Sequence, residues 1–88
     1  MSNVRNHDGQ LNVLGDKIRY YRELNKYSYQ KLSDKLMLYG VDIHKQALYK
    51  IEKGTRTVVD YEICAFALCF NISVEELLGE YYKKMKNL

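Results

Sequence analysis

Apolar side chains recur along this chain at helical spacing, in five blocks separated by short polar turns. Leu14, Ile18, Tyr21 and Leu24 mark a first helix over 13–25, with Asn12 as its N-cap. Ser28 caps a second, whose inner stripe is Leu32 and Leu36, with Ser33 small enough for a close crossing; it runs to Leu38 or Tyr39 and stops at Gly40. A third helix spans 44–53, with Ala47, Leu48 and Ile51 on one face and Lys45, Gln46, Tyr49, Lys50 and Lys53 around the rest. Gly54 ends it, since glycine tolerates a left-handed backbone. A basic loop, 54–57, leads to a fourth helix over 61–70, capped by Asp60. Its eight-residue run Ile63–Phe70 is apolar throughout and carries no amphipathic period. Such a helix is buried on all sides or half of an interface, which makes Ala65 and Leu68 candidates for contact with another subunit. Ser73-Val-Glu-Glu76 opens a fifth helix as a capping box, with Ile72 and Leu77 as its staple. Leu77, Leu78, Tyr81, Tyr82 and Met85 keep helical spacing through Gly79, which favours one long helix over a stop there. Lys83, Lys84 and Lys86 suit its C-terminal dipole.

Eighty-eight residues, 47% of them apolar, make one small domain rather than a large enzyme cleft. The absence of proline, with only five glycines, favours helices over a turn-rich β fold. The expected architecture is therefore all-α: a flexible segment 1–11, a helical domain 12–79 and a helical tail 80–88. Arg5 could act as an arm on a phosphate backbone, although a loose terminus is the simpler reading. The net charge of +3 does not by itself imply nucleic acid.

Cys64 and Cys69 lie five apart on one helix and point to different sides, so they cannot bridge each other. We read them as reduced core residues of a cytoplasmic protein. His7 and His44 do not complete a zinc pattern, and no cofactor is expected. No signal peptide is visible, and the longest apolar run is too short for a bilayer. Catalysis is not expected: there is no glycine-rich phosphate loop, His44 has no acidic orienter, and Glu75 and Glu76 are accounted for by capping.

The second and third helices, joined by a tight glycine-containing turn, have the layout of a helix-turn-helix. The chain resembles the phage-repressor and Cro-like helix-turn-helix family, also called XRE, from Leu14 to Leu78. The resemblance rests on Leu14-Gly-Asp-Lys-Ile18 with Arg22, Ser28 with Leu32 and Leu36, and Leu48-Tyr-Lys-Ile-Glu-Lys-Gly54 with Arg56. It continues through Asp60-Tyr-Glu-Ile63 with Ala67 and Phe70, and ends in Ile72-Ser-Val-Glu-Glu-Leu-Leu78. It implies a five-helix lambda-repressor-like domain that binds operator DNA as a homodimer and regulates transcription, as a repressor.

Carried over by position, the resemblance puts base reading on Lys45, Gln46 and Lys50, with Tyr49 beside them. Lysine can donate to guanine and glutamine can pair with adenine. It puts backbone phosphates on Lys53, Thr55, Arg56 and the start of the second helix, and pairs Arg22 with Glu52 as a structural lock. Three departures stand out. Tyr29, with Gln30 next, occupies the place of a phosphate-gripping glutamine. His44 replaces a good cap before the third helix, so Asp42 would take over. The stretch between Leu36 and Leu48 is long, which predicts an extra turn on the second helix. Dimerisation would use the fourth and fifth helices through Leu68, Leu78, Tyr81, Tyr82 and Met85. The competing reading is a protein-interaction module, an antitoxin or adaptor on the same fold, supported by more apolar helix surface than one small core needs.

Overall fold

The computed structural model describes residues 9–87, so expectations for Arg5 and His7 lie outside the described residues. Five helices follow in order: α1 (Gly15–Leu24), α2 (Tyr29–Met37), α3 (Lys45–Lys53), α4 (Asp60–Phe70) and α5 (Val74–Lys86). No strand occurs among the described residues. Helix α3 packs against both α1 and α2, while α4 closes the back of α1 and α2 and receives α5. Ile18, Leu32, Leu36, Leu48, Ile51, Phe66 and Leu77 are buried at the centre.

The first four helices end in the same closure. A residue with left-handed backbone follows each: Lys26, Gly40, Gly54 and Asn71. The next amide then reaches back to a carbonyl one turn inside, as Thr55 N–H does to the Lys50 carbonyl at 2.9 Å and Tyr27 N–H to the Arg22 carbonyl at 2.9 Å. This satisfies carbonyls that a helix end leaves open. The expected extra turn on α2 is not helical: α2 ends at Met37, short of Leu38 and Tyr39, and a turn follows. Three successive i→i+3 bonds over Leu38, Tyr39 and Gly40 tighten the chain before it turns into α3. Ser33 does more than allow a close crossing: its hydroxyl donates to the Ile43 carbonyl at 2.7 Å, tying α2 to the strand of chain that leads into α3.

Several expectations are corrected. Helix α1 starts two residues later than expected and its N-cap is Leu14, not Asn12; from two residues upstream, Asn12 Oδ1 accepts from the Leu14 and Gly15 amides at 2.7 and 2.8 Å. Leu24, placed in the inner stripe, is 61% exposed, because the last turn of α1 runs past the core. The cap of α4 is Val59 rather than Asp60. Valine offers no side-chain acceptor, and Glu62 accepts from the Val59 amide at 3.1 Å instead. Helix α4 has one outward stripe, Tyr61, Cys64 and Leu68, so within the apolar run Ala65 is core and Cys64 is not. Burial pushes the Cys69 thiol up to about 11, which keeps it protonated and unreactive. Helix α5 continues through Gly79 without a break. Ser73 caps it, but Glu76 does not reach back to complete the box. Its carboxylate accepts instead from the Tyr21 hydroxyl at 3.2 Å and so joins α5 to α1. At the end of the segment expected to be flexible, Leu11 is anchored: its N–H donates to the Gly54 carbonyl at 2.9 Å.

The tightest approach in the fold is between the start of α1 and the end of α3. A Cβ at Gly15 would lie 2.7 Å from the carbonyl oxygens of both Ile51 and Glu52. Only glycine lets the two backbones come this close. Asn12 closes the same junction, its Nδ2 donating to the Ile51 and Arg56 carbonyls at 3.0 and 2.8 Å. Two turns further along α1, Arg22 grips Glu52 in a fork, Nε to Oε2 at 2.7 Å and Nη2 to Oε1 at 3.2 Å. The Glu52 side chain is 3% exposed and the Arg22 side chain 12%. The pair is therefore desolvated, and its remaining capacity is filled: Arg22 also donates to the Tyr27 carbonyl at 3.1 Å, and Glu52 accepts from the Tyr29 hydroxyl at 2.9 Å. The expected lock between first and third helices is present.

Two outcomes follow from this junction. Gly15→Ala gains helix propensity yet should lose about 1–3 kcal/mol through the backbone clash. Gly79→Ala meets nothing within 4 Å and should gain about 1 kcal/mol. Denaturant melts at fixed protein concentration read both signs, and a stabilised Gly15→Ala would show that the two helices have room to spare. Arg22→Ala or Glu52→Ala strands a buried charge and should cost about 3–5 kcal/mol, whereas Arg22→Met with Glu52→Leu should recover most of the loss. Single-variant losses below about 1 kcal/mol would mean that the pair behaves as a solvated one.

Candidate nucleic-acid interface

Helix α3 has two faces set by its period. Leu48, Ile51 and Glu52 point inward, with Ala47 half-buried beside them. Lys45, Gln46, Tyr49, Lys50 and Lys53 are all exposed. Among the described residues, the side chains of Lys45, Gln46 and Lys50 have no hydrogen-bond or ion-pair partner, and all three are available to a ligand. Tyr49 stands edge-on to Tyr29, with ring centroids 6.1 Å apart, and the Lys53 ammonium lies 5.4 Å from the Tyr49 ring centre. This fixes the tyrosine near the C-terminal half of the face. At the other end, His44 makes no side-chain cap and Asp42 does not take over that role. The first intrahelical bond is Leu48 N–H to the His44 carbonyl at 3.0 Å. The amides of the first turn thus remain open to water or to an anion.

The residues expected on the DNA backbone divide into two groups. Lys53 and Thr55 are exposed, the Thr55 hydroxyl resting on the Lys50 carbonyl at 3.2 Å. Gln30 is exposed and makes only a one-turn bond to Asp34 at 2.9 Å. Tyr29 and Arg56 are placed differently. The one hydroxyl proton of Tyr29 goes to Glu52, and its ring lies under the Arg22 guanidinium, 4.1 Å from the ring centre. Burial first, and then the bond to Glu52, raises the Tyr29 pKa. Arg56 forks onto the buried Glu62, both bonds at 3.2 Å, and also donates to the Thr57 carbonyl at 2.9 Å. Both residues are therefore half-buried and each is held by an acidic partner, unlike the fully exposed side chains of α3.

The electrostatic balance is simple. Arg22 offsets Glu52, with the Glu52 hydrogen bond raising the Arg22 pKa, and Arg56 offsets Glu62. Lys45, Lys50 and Lys53 are left as the cations of an outward helix face. Sequence reasoning missed three residues here. Asn12 was read only as a cap, although it also clamps the far end of α3. Glu62 was given no partner, although its place three residues beyond Val59 marks a first-turn acceptor. Arg19, outside the motif, lines the seam between α1 and α3.

Among the described residues, no group of three or more His, Cys, Asp or Glu could hold a metal ion, and no helix is long and apolar enough to cross a membrane.

A family model described as helix-turn-helix matches residues 18–77, more than half of the chain. The chain matches no curated protein and no solved structure. The matched stretch contains α2, α3 and the tight turn between them, as well as the Arg22–Glu52 pair and all the exposed side chains of α3. The chain belongs to the XRE-type, Cro/C1-like helix-turn-helix family of DNA-binding regulators.

Proposed function

We propose that this protein is a sequence-specific repressor that reads the major groove of operator DNA with α3. The observation that carries the reading is the unpartnered row Lys45, Gln46 and Lys50 on a helix locked from behind. A major groove about 12 Å wide admits a single helix presenting such a face. Lys45 and Lys50 donate to guanine edges or phosphates, Gln46 pairs with adenine, and Tyr49 packs beside them. Lys53, Thr55 and Gln30 meet the sugar-phosphate backbone, together with the open amides of α3's first turn. Repression then follows from occupancy of the operator, in the compartment that holds the DNA.

The chain acts as a homodimer in this reading. Leu68 on α4 and Tyr82 and Met85 on α5 are exposed apolar residues, with Leu78 and Tyr81 half-buried beside them. Val74, Leu78 and Tyr82 also line an almost wholly apolar groove of about 310 Å³. Two copies joined there would present two α3 helices to half-sites about 34 Å apart. The same surface supports a second reading, an antitoxin or adaptor that covers it with a different protein.

Selection of bound sites from a random duplex library tests the main reading. A defined half-site repeated about one helical turn apart is the expected result; equal recovery of all sequences at low salt would contradict it. Lys50→Ala should relax discrimination at one base pair by about 1–3 kcal/mol while leaving other positions unchanged. Leu68→Glu with Tyr82→Glu should convert a sedimenting dimer into a monomer. A wild-type chain that folds only in the presence of another protein would favour the adaptor.

A further inference from the structure

We propose that Asn12 is a positioning residue for DNA binding: with Gln10 and Leu11 it holds the turn after α3, and so fixes where Lys53 and Thr55 stand relative to the base-reading row. The inference rests on the DNA-binding reading and adds a segment that the helix-turn-helix does not supply, since residues 10–12 precede the stretch matched by the family model.

Three bonds hold the turn at Gly54 from outside α3. Asn12 Nδ2 donates to the Ile51 carbonyl at 3.0 Å and to the Arg56 carbonyl at 2.8 Å, so one amide group spans the turn from side to side. Between those two points, the Gly54 carbonyl accepts from the Leu11 amide at 2.9 Å. Gln10 lies across the same glycine: a Cβ at Gly54 would collide with the Gln10 side-chain amide. Gly54 is accordingly buried, although its neighbours Lys53 and Thr55 are exposed.

The turn's own bonds, Gly54 N–H to the Ile51 carbonyl and Thr55 N–H to the Lys50 carbonyl, run back into α3. They close the helix but do not tie it to anything else. Asn12 supplies that tie. Its Oδ1 accepts from the Leu14 and Gly15 amides, so the side chain joins the start of α1 to both sides of the turn. Arg56 is then held at its carbonyl by Asn12 and at its guanidinium by Glu62. Both donors and both acceptor positions of the Asn12 side chain are occupied within the protein. None is left for a phosphate, and the residue acts on DNA only through the turn. A turn already in place when DNA arrives has less ordering to undergo on binding.

The test is a set of titrations of the full chain with a selected duplex over a salt series, each made well below the melt of the variant used. Asn12→Ser keeps an acceptor for the start of α1 and removes both donors, with no change of charge. It should nevertheless lower the magnitude of the log–log salt slope by about 0.9, as Lys53→Gln does, because Lys53 no longer meets its phosphate. All sequences should weaken alike, with their ranking as in the wild type. In a chain already carrying Lys53→Gln and Thr55→Ala, Asn12→Ser should add no further loss. Ile18→Val, which loosens the core without touching the turn, should keep the wild-type slope. A folded Asn12→Ser with wild-type affinity and slope overturns the proposal and leaves the DNA-binding reading standing, and so do additive losses in the combined variant. Where Asn12→Ser does not fold, Gln10→Ala takes its place: a lowered slope is expected, and wild-type affinity and slope would overturn the proposal. A wild type that binds no duplex removes both readings together.

Discussion

Helix α3 can offer one face to the outside only because its other end is gripped from behind. The grip is the near contact of backbones at Gly15, closed by Asn12 on one side and by the Arg22–Glu52 fork on the other. A nine-residue helix would not hold its shape alone in water. Here its last turn is fixed by α1 and its start is fixed through Ser33 of α2. Two buried hydrophobic residues, Leu48 and Ile51, then do the rest, and nothing on the outer face has to contribute to folding.

A division of labour between cations comes from that arrangement. Two of the arginines near the site, Arg22 and Arg56, are forked onto buried carboxylates and act as internal struts. Guanidinium suits this work, because its planar donors match a carboxylate two at a time. The charge on the outer face of α3 is left to lysines, whose flexible stems carry a single strongly hydrated charge. Internal pairing thus keeps the scaffold neutral while the outer face stays cationic.

The parts of this fold that were legible in the sequence are the local ones. Ser28, Ser73, Gly40 and Gly54 act on neighbours within one turn, and their roles as caps and stops are as expected. The outward residues of α3 were legible because Leu48 and Ile51 set the phase of the helix. The eight apolar residues of α4 gave no phase, so the sequence could not separate buried Ala65 from exposed Cys64 and Leu68. Leu24 kept the period of α1 but lay beyond the point where the core ends. The committed states of Tyr29 and Arg56 were hidden for another reason. Whether a polar side chain is free depends on what folding brings beside it, and Tyr29 meets a carboxylate 23 residues away.

Titration of the isotope-labelled chain with its selected duplex, followed by amide chemical shifts, examines the account most directly. Shifts concentrated on 45–53, with the outer stripe of α4 at Tyr61, Cys64 and Leu68 silent, are predicted. Shifts confined to that α4 stripe, with α3 unmoved, would show that the cationic face of α3 is not where this molecule meets DNA.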